Sequence, residues 1–136
     1  MVESSLPIVT VTGATGYIGS HCCKLLLESG KYKVRGTVRS KTNESKIAPI
    51  REGIGELFDQ LELVEADLLD EESLIKAVEG STYVLHVASP FVLEEPKDEN
   101  VLIKPAVEGT LAVMKAAKAS KTKRVVVTSS IAAIVG

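Results

Sequence analysis

Residues 9–19 read Val-Thr-Val-Thr-Gly-Ala-Thr-Gly-Tyr-Ile-Gly, and the rest of the chain is arranged around this stretch. The β-branched run at residues 8–12 has the length and composition of a strand. After the glycines, apolar residues recur at helical spacing until Gly30, which is a typical helix stop. The stretch therefore predicts a strand, a tight glycine turn and the N-terminus of a helix.

A strand, turn and helix in this order are a candidate phosphate site. The free N–H groups of the first helical turn point at an anion, and the helix dipole adds roughly half a positive charge there. Gly13, Gly16 and Gly19 suit a tight turn, a close approach of backbone to a pyrophosphate and close packing of helix on strand. A P-loop needs Lys after its last glycine, whereas Ser20 and His21 follow here. An ordinary glycine-rich turn is the alternative.

The bulk composition describes one soluble globular domain. The chain has 136 residues, of which 45% are hydrophobic, and a net charge of −2. Its Lys and Arg residues are dispersed, so we expect no nucleic-acid partner and no membrane surface. No apolar run approaches the length that spans a membrane, and we expect no signal peptide.

The two cysteines, Cys22 and Cys23, are adjacent on the first predicted helix. Neighbouring cysteines rarely bridge each other, so a reduced, cytoplasmic location is expected. The helical pattern places Ile18, Cys22 and Leu25 on the buried face, with Cys23 partly exposed. No other ligands cluster nearby, so no metal site is predicted.

Strand and helix patterns alternate along the whole chain. Helical spacing recurs around residues 18–29, 47–58, 70–79 and 101–120, and strand patterns occur at residues 8–12, 32–38, 61–66, 82–87 and 124–128. Alternation of this kind predicts an α/β fold, with a Rossmann-like doubly wound parallel sheet in the order 3-2-1-4-5. Ligands of such sheets bind beyond the carboxyl ends of the strands, which are here Gly13, Arg39, Asp67, Ala88 and Ser130.

Arg39 closes the second predicted strand, where an NAD-selective fold has an Asp or Glu that accepts a hydrogen bond from the ribose 2′-hydroxyl. Residues 31–41 contain no acid, and Lys41 and Lys46 lie close by in the sequence. An arginine fork suits a 2′-phosphate, which a carboxylate would repel. We therefore expect NADP(H) as the cofactor, with NAD less favoured.

The motif Thr-Gly-Ala-Thr-Gly-Tyr-Ile-Gly at residues 12–19 resembles that of the extended short-chain dehydrogenase/reductase superfamily, which includes the sugar-nucleotide epimerases. Four further stretches are similar to the branch of dihydroflavonol 4-reductases, cinnamoyl-CoA reductases and yeast-type aldehyde/ketone reductases. They are Val-Arg-Gly-Thr-Val-Arg at 34–39, Ala-Asp-Leu at 66–68, His-Val-Ala-Ser-Pro at 86–90 and Ile-Lys-Pro-Ala-Val-Glu-Gly-Thr at 103–110. The resemblance covers nearly the whole chain, but only the N-terminal part of such a protein.

The resemblance implies roles for individual residues. Lys46 would be a second contact to the 2′-phosphate, Asp67 and Leu68 would contact the adenine, and Ser130 would hydrogen-bond the substrate carbonyl oxygen. From the sequence alone, Asp67 could equally be a turn aspartate that caps the next helix. The complete cofactor-binding set is Gly13, Thr15, Gly16, Tyr17, Ile18, Gly19, Arg39, Lys46, Asp67, Leu68, Val87, Ala88 and Ser89.

The family's catalytic pair, Tyr-x-x-x-Lys, does not occur in this chain. Tyr17, Tyr32 and Tyr83 are each followed four residues later by a residue other than Lys. In the family this pair comes after the serine segment, so residues 1–136 are expected to be an incomplete Rossmann domain without its last strands and substrate lobe. We expect this chain alone to be inactive. Val135 stands five positions after Ser130. At this position the flavonoid reductases carry a polar residue that contacts the substrate.

Three functions fit these observations. The first is the NADP(H)-binding portion of a reductase that acts on an aldehyde or ketone, a small-molecule carbonyl substrate. An NAD-dependent sugar-nucleotide epimerase or a steroid dehydrogenase shares the glycine motif but favours an acid after the second strand. A non-catalytic NADP(H)-sensing module would keep the glycines and Arg39 without a Tyr-Lys pair. The small residues between Ala106 and Ala117 make a homodimer through that helix a further expectation.

Overall fold

The computed structural model describes residues 6–90 and 96–135. Its strands are β1 (Ile8–Thr12), β2 (Lys33–Val38), β3 (Glu62–Glu65), β4 (Tyr83–His86) and β5 (Arg124–Val127). Its helices are α1 (Tyr17–Ser29), α2 (Glu44–Ile54), α3 (Glu71–Val78), α4 (Asn100–Ala119) and α5 (Ala132–Val135). The helix expected around 47–58 begins earlier, at Glu44, and ends at Ile54, because Gly55 is its C-cap and has a φ of +76°. A 3₁₀ helix over Gly55–Gln60 follows.

The strands form one five-stranded parallel sheet in the order β3-β2-β1-β4-β5. The predicted fold class is therefore confirmed. Val11 in the central strand lies beside Gly36 of β2 and Leu85 of β4. Because all the strands run the same way, their carboxyl ends meet at one edge of the sheet, where α1 begins after β1.

The sheet has a separate apolar core on each face. Side chains alternate along β1, so Val9 and Val11 face α1 and α2 while Thr10 and Thr12 face the other way. The core on the Val9 face includes Cys23, Leu27, Val34, Ile47 and Ile50. The opposite core includes Leu74, Val78, Val84, Val113 and Ala116, contributed by α3, β4 and α4.

The predicted buried face of α1 is wrong by one position. Cys23 is fully buried and Cys22 only partly, while Ile18 and Leu25 are 52% and 66% exposed. Gly19 sets the rotation of α1 about its axis, because a Cβ at this position would lie 2.0 Å from the carbonyl oxygen of Gly13. Only a glycine fits there, so Gly19, Cys23 and Leu27 face the sheet. Burial raises the pKa of the Cys23 thiol to about 12, with Cys22 adding to the effect, so this thiol stays neutral.

The small residues of α4 pack inside the chain. Ala112, Ala116 and Ala117 are buried in the core that α4 shares with α3. Gly109 faces Leu68, since a Cβ on Gly109 would lie 2.6 Å from Leu68 Cδ2. The surface of α4 instead carries larger apolar side chains, namely Val107, Leu111 and Met114. Within residues 6–90 and 96–135, no helix is both long and apolar enough to cross a membrane.

Candidate dinucleotide-binding site

A cleft of about 840 Å³ opens at the carboxyl edge of the sheet, between the glycine turn after β1, the ends of β2 to β4 and the first turns of α4. It brings together all the predicted cofactor-binding residues except Lys46. They are Gly13, Thr15, Gly16, Tyr17, Ile18, Gly19, Arg39, Asp67, Leu68, Val87, Ala88 and Ser89. The strand ends thus assemble residues that are up to 76 positions apart in the sequence.

The glycine turn forms one end of the cleft. Gly13 has a φ of +75°, and a Cβ on it would lie 3.0 Å from Ala88 Cα. The turn is held to β2, since the Gly13 N–H donates to Thr37 Oγ1 at 3.0 Å and the Ala14 N–H donates to the Thr37 carbonyl at 2.9 Å. Both the conformation and the close packing require glycine at position 13.

The N-terminus of α1 at this turn fits a bound phosphate. Gly16 is the N-cap and has no side chain to occupy the first N–H groups, and the first turn carries no acidic residue. Those N–H groups have no intrahelical acceptor and carry the positive end of the helix dipole. A pyrophosphate is an anion of the kind that such an uncapped N-terminus binds.

Arg39 forms another wall of the cleft, immediately after β2, and is exposed. The loop after it contacts one carboxylate, because the Lys41 N–H donates to Glu65 Oε2 at 3.0 Å. Glu65 is not among the residues that line the cleft, so the charge presented there by the end of β2 is positive. Lys46 lies on the first turn of α2 and does not line the cleft in the described part of the chain.

Asp67 and Leu68 lie where β3 ends. Asp67 Oδ1 accepts a hydrogen bond from the Leu69 N–H at 2.9 Å, which closes a local turn. The cap of α3 is Asp70 instead, whose Oδ1 accepts from the Ser73 N–H at 3.2 Å. Asp67 is therefore a turn residue that also faces the cleft. Leu68 forms an apolar wall that α4 supports from behind through Gly109.

The end of β4 is fixed to β1 by a buried hydroxyl. Thr12 Oγ1 accepts hydrogen bonds from the N–H groups of Val87 at 2.9 Å and Ala88 at 3.0 Å. It also lies 2.8 Å from Nδ1 of His86, a residue that is 3% exposed. Burial lowers the pKa of His86, so its ring is neutral near pH 7.

Ser130 lies outside this cleft, two residues before α5. Its Oγ accepts a hydrogen bond from the Ala132 N–H at 3.1 Å, and its side chain is exposed. Among the residues that the structure describes, this hydroxyl accepts a hydrogen bond but donates none. Ser130 follows β5, at the same edge of the sheet as the cleft.

Thr12 and Thr37 are site residues that the sequence interpretation missed. Both are buried and both line the cleft. The hydroxyl of Thr37 accepts a hydrogen bond from a backbone N–H of the glycine turn, and that of Thr12 accepts from the segment that follows β4. The available signal was a polar residue near the carboxyl end of an otherwise apolar strand. Such a residue is buried only if it has hydrogen-bond partners, and these lie at the same sheet edge.

The fold and the cleft are those of a Rossmann-like α/β protein. Residues 9–136 match the NAD dependent epimerase/dehydratase family, and the chain belongs to this family.

Its relatives include several reductases. The chain is 44% identical to a dihydroflavonol 4-reductase of Hordeum vulgare, covering 90% of this chain and 34% of that protein. It is 47% identical to cinnamoyl-CoA reductase 2 of Arabidopsis thaliana, with coverage of 93% and 36%. The chain thus spans about a third of the length of the curated relatives it matches.

A solved structure, the yeast methylglyoxal/isovaleraldehyde reductase complexed with NADPH, superposes with a TM-score of 0.75. It is 32% identical, over 93% of this chain and 38% of that one. The resemblance to reductases of the extended superfamily is confirmed. The NADPH in that neighbour supports the choice of cofactor made from Arg39.

Proposed function

We propose that this chain is the NADP(H)-binding portion of an oxidoreductase that reduces an aldehyde or ketone carbonyl. The observation that carries the proposal is the cleft itself. One end offers the uncapped N-terminus of α1 at Gly16, and the other offers Arg39 with no acid in residues 31–41. These two features match the two anionic groups of NADP(H), its pyrophosphate and its 2′-phosphate.

The remaining walls of the cleft fit the uncharged parts of the same molecule. Leu68 offers an apolar surface for the adenine ring. Val87, Ala88 and Ser89 have small side chains, so a ribose can lie against the backbone that Thr12 holds in place. Bound NADPH supplies a hydride to the carbonyl carbon. This chain's part is to bind and orient the cofactor.

Ser130 is proposed as a hydrogen-bond donor to the substrate oxygen. It follows β5 at the edge of the sheet where the cleft opens, and its exposed hydroxyl donates no hydrogen bond within the described part of the chain. Within a reductase of this superfamily a Tyr-x-x-x-Lys pair outside residues 1–136 would supply the proton. The named relatives include reductases with different substrates, and we propose a carbonyl compound as the common class.

The homodimer expected through residues 106–117 stays a prediction, and the exposed side chains of α4 are the ones that a partner could contact. Ala112, Ala116 and Ala117 are buried within the chain. A partner helix would therefore contact Val107, Leu111 and Met114, which are about half exposed.

The test of the cofactor is a titration of the wild type and of Arg39→Asp with NADPH and NADH by calorimetry. A charge-assisted hydrogen bond to the 2′-phosphate contributes about 1.5–3 kcal/mol before solvent screening. The wild type should therefore prefer NADPH by at least about tenfold. Arg39→Asp should reverse the preference, because a carboxylate repels the phosphate and accepts from a free 2′-hydroxyl.

Arg124→Asp is the matched control. It makes the same change of charge at an exposed position at the other end of a strand, where β5 begins. Its preference for NADPH should equal that of the wild type. Equal affinities of the wild type for both cofactors, or an unchanged ratio in Arg39→Asp, would remove Arg39 from the site and favour the NAD-dependent epimerase interpretation.

A further inference from the structure

His86 is a buried histidine below the floor of the cleft with a partner for each ring nitrogen. It is the last residue of β4 and pairs in register with Thr12 of β1. Nδ1 lies 2.8 Å from Thr12 Oγ1, and Nε2 lies 3.3 Å from Thr110 Oγ1 on α4. Neither partner is charged. The role of this histidine therefore depends on which nitrogen carries the proton.

The hydrogen bonds of Thr12 decide the tautomer. A hydroxyl group has one proton to donate and two lone pairs that accept. Both lone pairs of Thr12 Oγ1 are used, by the N–H groups of Val87 and Ala88. The hydroxyl proton must therefore point at His86 Nδ1, which has to be unprotonated. The ring proton then lies on Nε2, which donates to Thr110 Oγ1.

The two N–H groups that donate hydrogen bonds to Thr12 Oγ1 belong to residues in the wall of the cleft. Val87 and Ala88 both line the cleft, and Ala88 packs directly against the glycine turn at Gly13. If the hydroxyl proton of Thr12 had no acceptor, the group could satisfy it only by rotating away from one of these N–H groups. Either the hydroxyl proton or one of the two backbone N–H groups would then be left without a partner, which is unfavourable for a buried donor and would weaken the hold of Thr12 on the wall.

We propose that His86 is a positioning residue of the cofactor cleft. Its Nε2–H tautomer accepts the hydroxyl proton of Thr12, and so aims both Thr12 lone pairs at the backbone of Val87 and Ala88. This role rests on the proposed function of the cleft as a dinucleotide site. His86 does not contact the cofactor, and it acts through Thr12.

The test compares NADPH affinity across three variants of the full chain by calorimetry. His86→Leu removes the acceptor and should weaken NADPH binding about tenfold, the equivalent of one lost hydrogen bond. His86→Asn places an amide oxygen near the position of Nδ1 and should stay within about threefold of the wild type. Thr110→Val removes only the partner of Nε2, and it is the control, with a change of less than about threefold.

Nitrogen NMR of the chain without ligand tests the tautomer separately. The Nδ1 resonance of His86 should be that of an unprotonated nitrogen, and Nε2 should show a bound proton. A protonated Nδ1 would overturn the proposal, whether or not His86→Leu folds. A folded His86→Leu with the NADPH affinity of the wild type would also overturn it, because the histidine would then have only a structural role. If the wild type does not bind NADPH although the tautomer is as expected, it is the proposed function that fails, and the cleft role of His86 fails with it.

Discussion

The glycine turn after β1 and the segment after β5 both lie at the carboxyl edge of the sheet, but they are packed very differently. Val11 and Val34, in β1 and β2, are fully buried, and the turn is tied to β2 through Thr37. In β5, by contrast, Val126 and Val127 are 51% and 45% exposed, and Ile134 beyond it is 86% exposed. The geometry of the glycine turn is therefore fixed by contacts inside this chain, whereas the surroundings of Ser130 are not.

The difference follows from where each segment lies in the sheet. β1 is central and has a hydrogen-bonded strand on each side, while β5, within residues 6–90 and 96–135, lies at the edge of the sheet and pairs with β4 alone. An edge strand presents unpaired backbone groups, and this one also carries apolar side chains, so it is a template for association. Small changes in packing should consequently have a large effect on stability in β1, β2 and the glycine turn, and a small effect in β5 and the segment after it.

The largest effect is expected at Gly19. Its Cβ would lie 2.0 Å from the Gly13 carbonyl oxygen, a contact that requires the backbone of the turn to shift. Gly19→Ala should lower the free energy of unfolding by about 3 kcal/mol, the upper range for overpacking. It should also abolish detectable NADPH binding. Urea denaturation and calorimetry measure the two effects.

Gly53→Ala is the matched control for the same chemical change. Gly53 lies inside α2, and a Cβ there would meet nothing within 4 Å. Alanine should stabilise the helix by about 0.5–1 kcal/mol. Equal urea midpoints for the two variants would show that the close packing of α1 on the turn is not a constraint.

The next effect concerns catalysis by a longer polypeptide that contains this chain together with a Tyr-x-x-x-Lys pair. Ser130→Ala should lower kcat by about 10²-fold or more, because it removes one donor to the developing negative charge on the substrate oxygen. NADPH affinity should hardly change, since Ser130 does not line the cleft. Steady-state kinetics with an aldehyde substrate measure the loss.

Ser129→Ala provides the comparison one residue away. Ser129 is also exposed, and its replacement should change kcat only mildly. A large loss in Ser129→Ala with a small one in Ser130→Ala would place the catalytic position one residue earlier.

Much of the fold could be predicted because its signals are local. The alternation of strand and helix patterns predicts a parallel sheet, and the glycine spacing predicts a helix N-terminus at the phosphate site. The strand ends then meet at one edge by topology alone, which is why residues as distant in sequence as Gly13, Arg39 and Ala88 were predicted to lie together.

The remaining features depend on contacts that no local pattern contains. The rotation of α1 about its axis is set by the contact of Gly19 with Gly13. The hydrophobic pattern does not contain this contact, and it therefore predicted Cys22 as the buried cysteine, whereas Cys23 is the buried one. The pairing of Thr12 with His86 joins residues that are 74 positions apart. Lys46 was placed by resemblance, and the chain puts it on α2, outside the cleft lining.

The smallest effect is expected from a pair of substitutions, one in β2 and one in β5, which tests the comparison directly. Val34→Ala, in a fully buried position, should lower the free energy of unfolding by about 2 kcal/mol, from lost burial and an unfilled cavity. Val126→Ala removes the same atoms from a side chain that is 51% exposed and should cost no more than about 0.5 kcal/mol. Urea midpoints at equal slope give both values. If Val126→Ala costs as much as Val34→Ala, β5 must be covered in solution. A midpoint that rises with protein concentration would then identify a second copy of the chain as the cover.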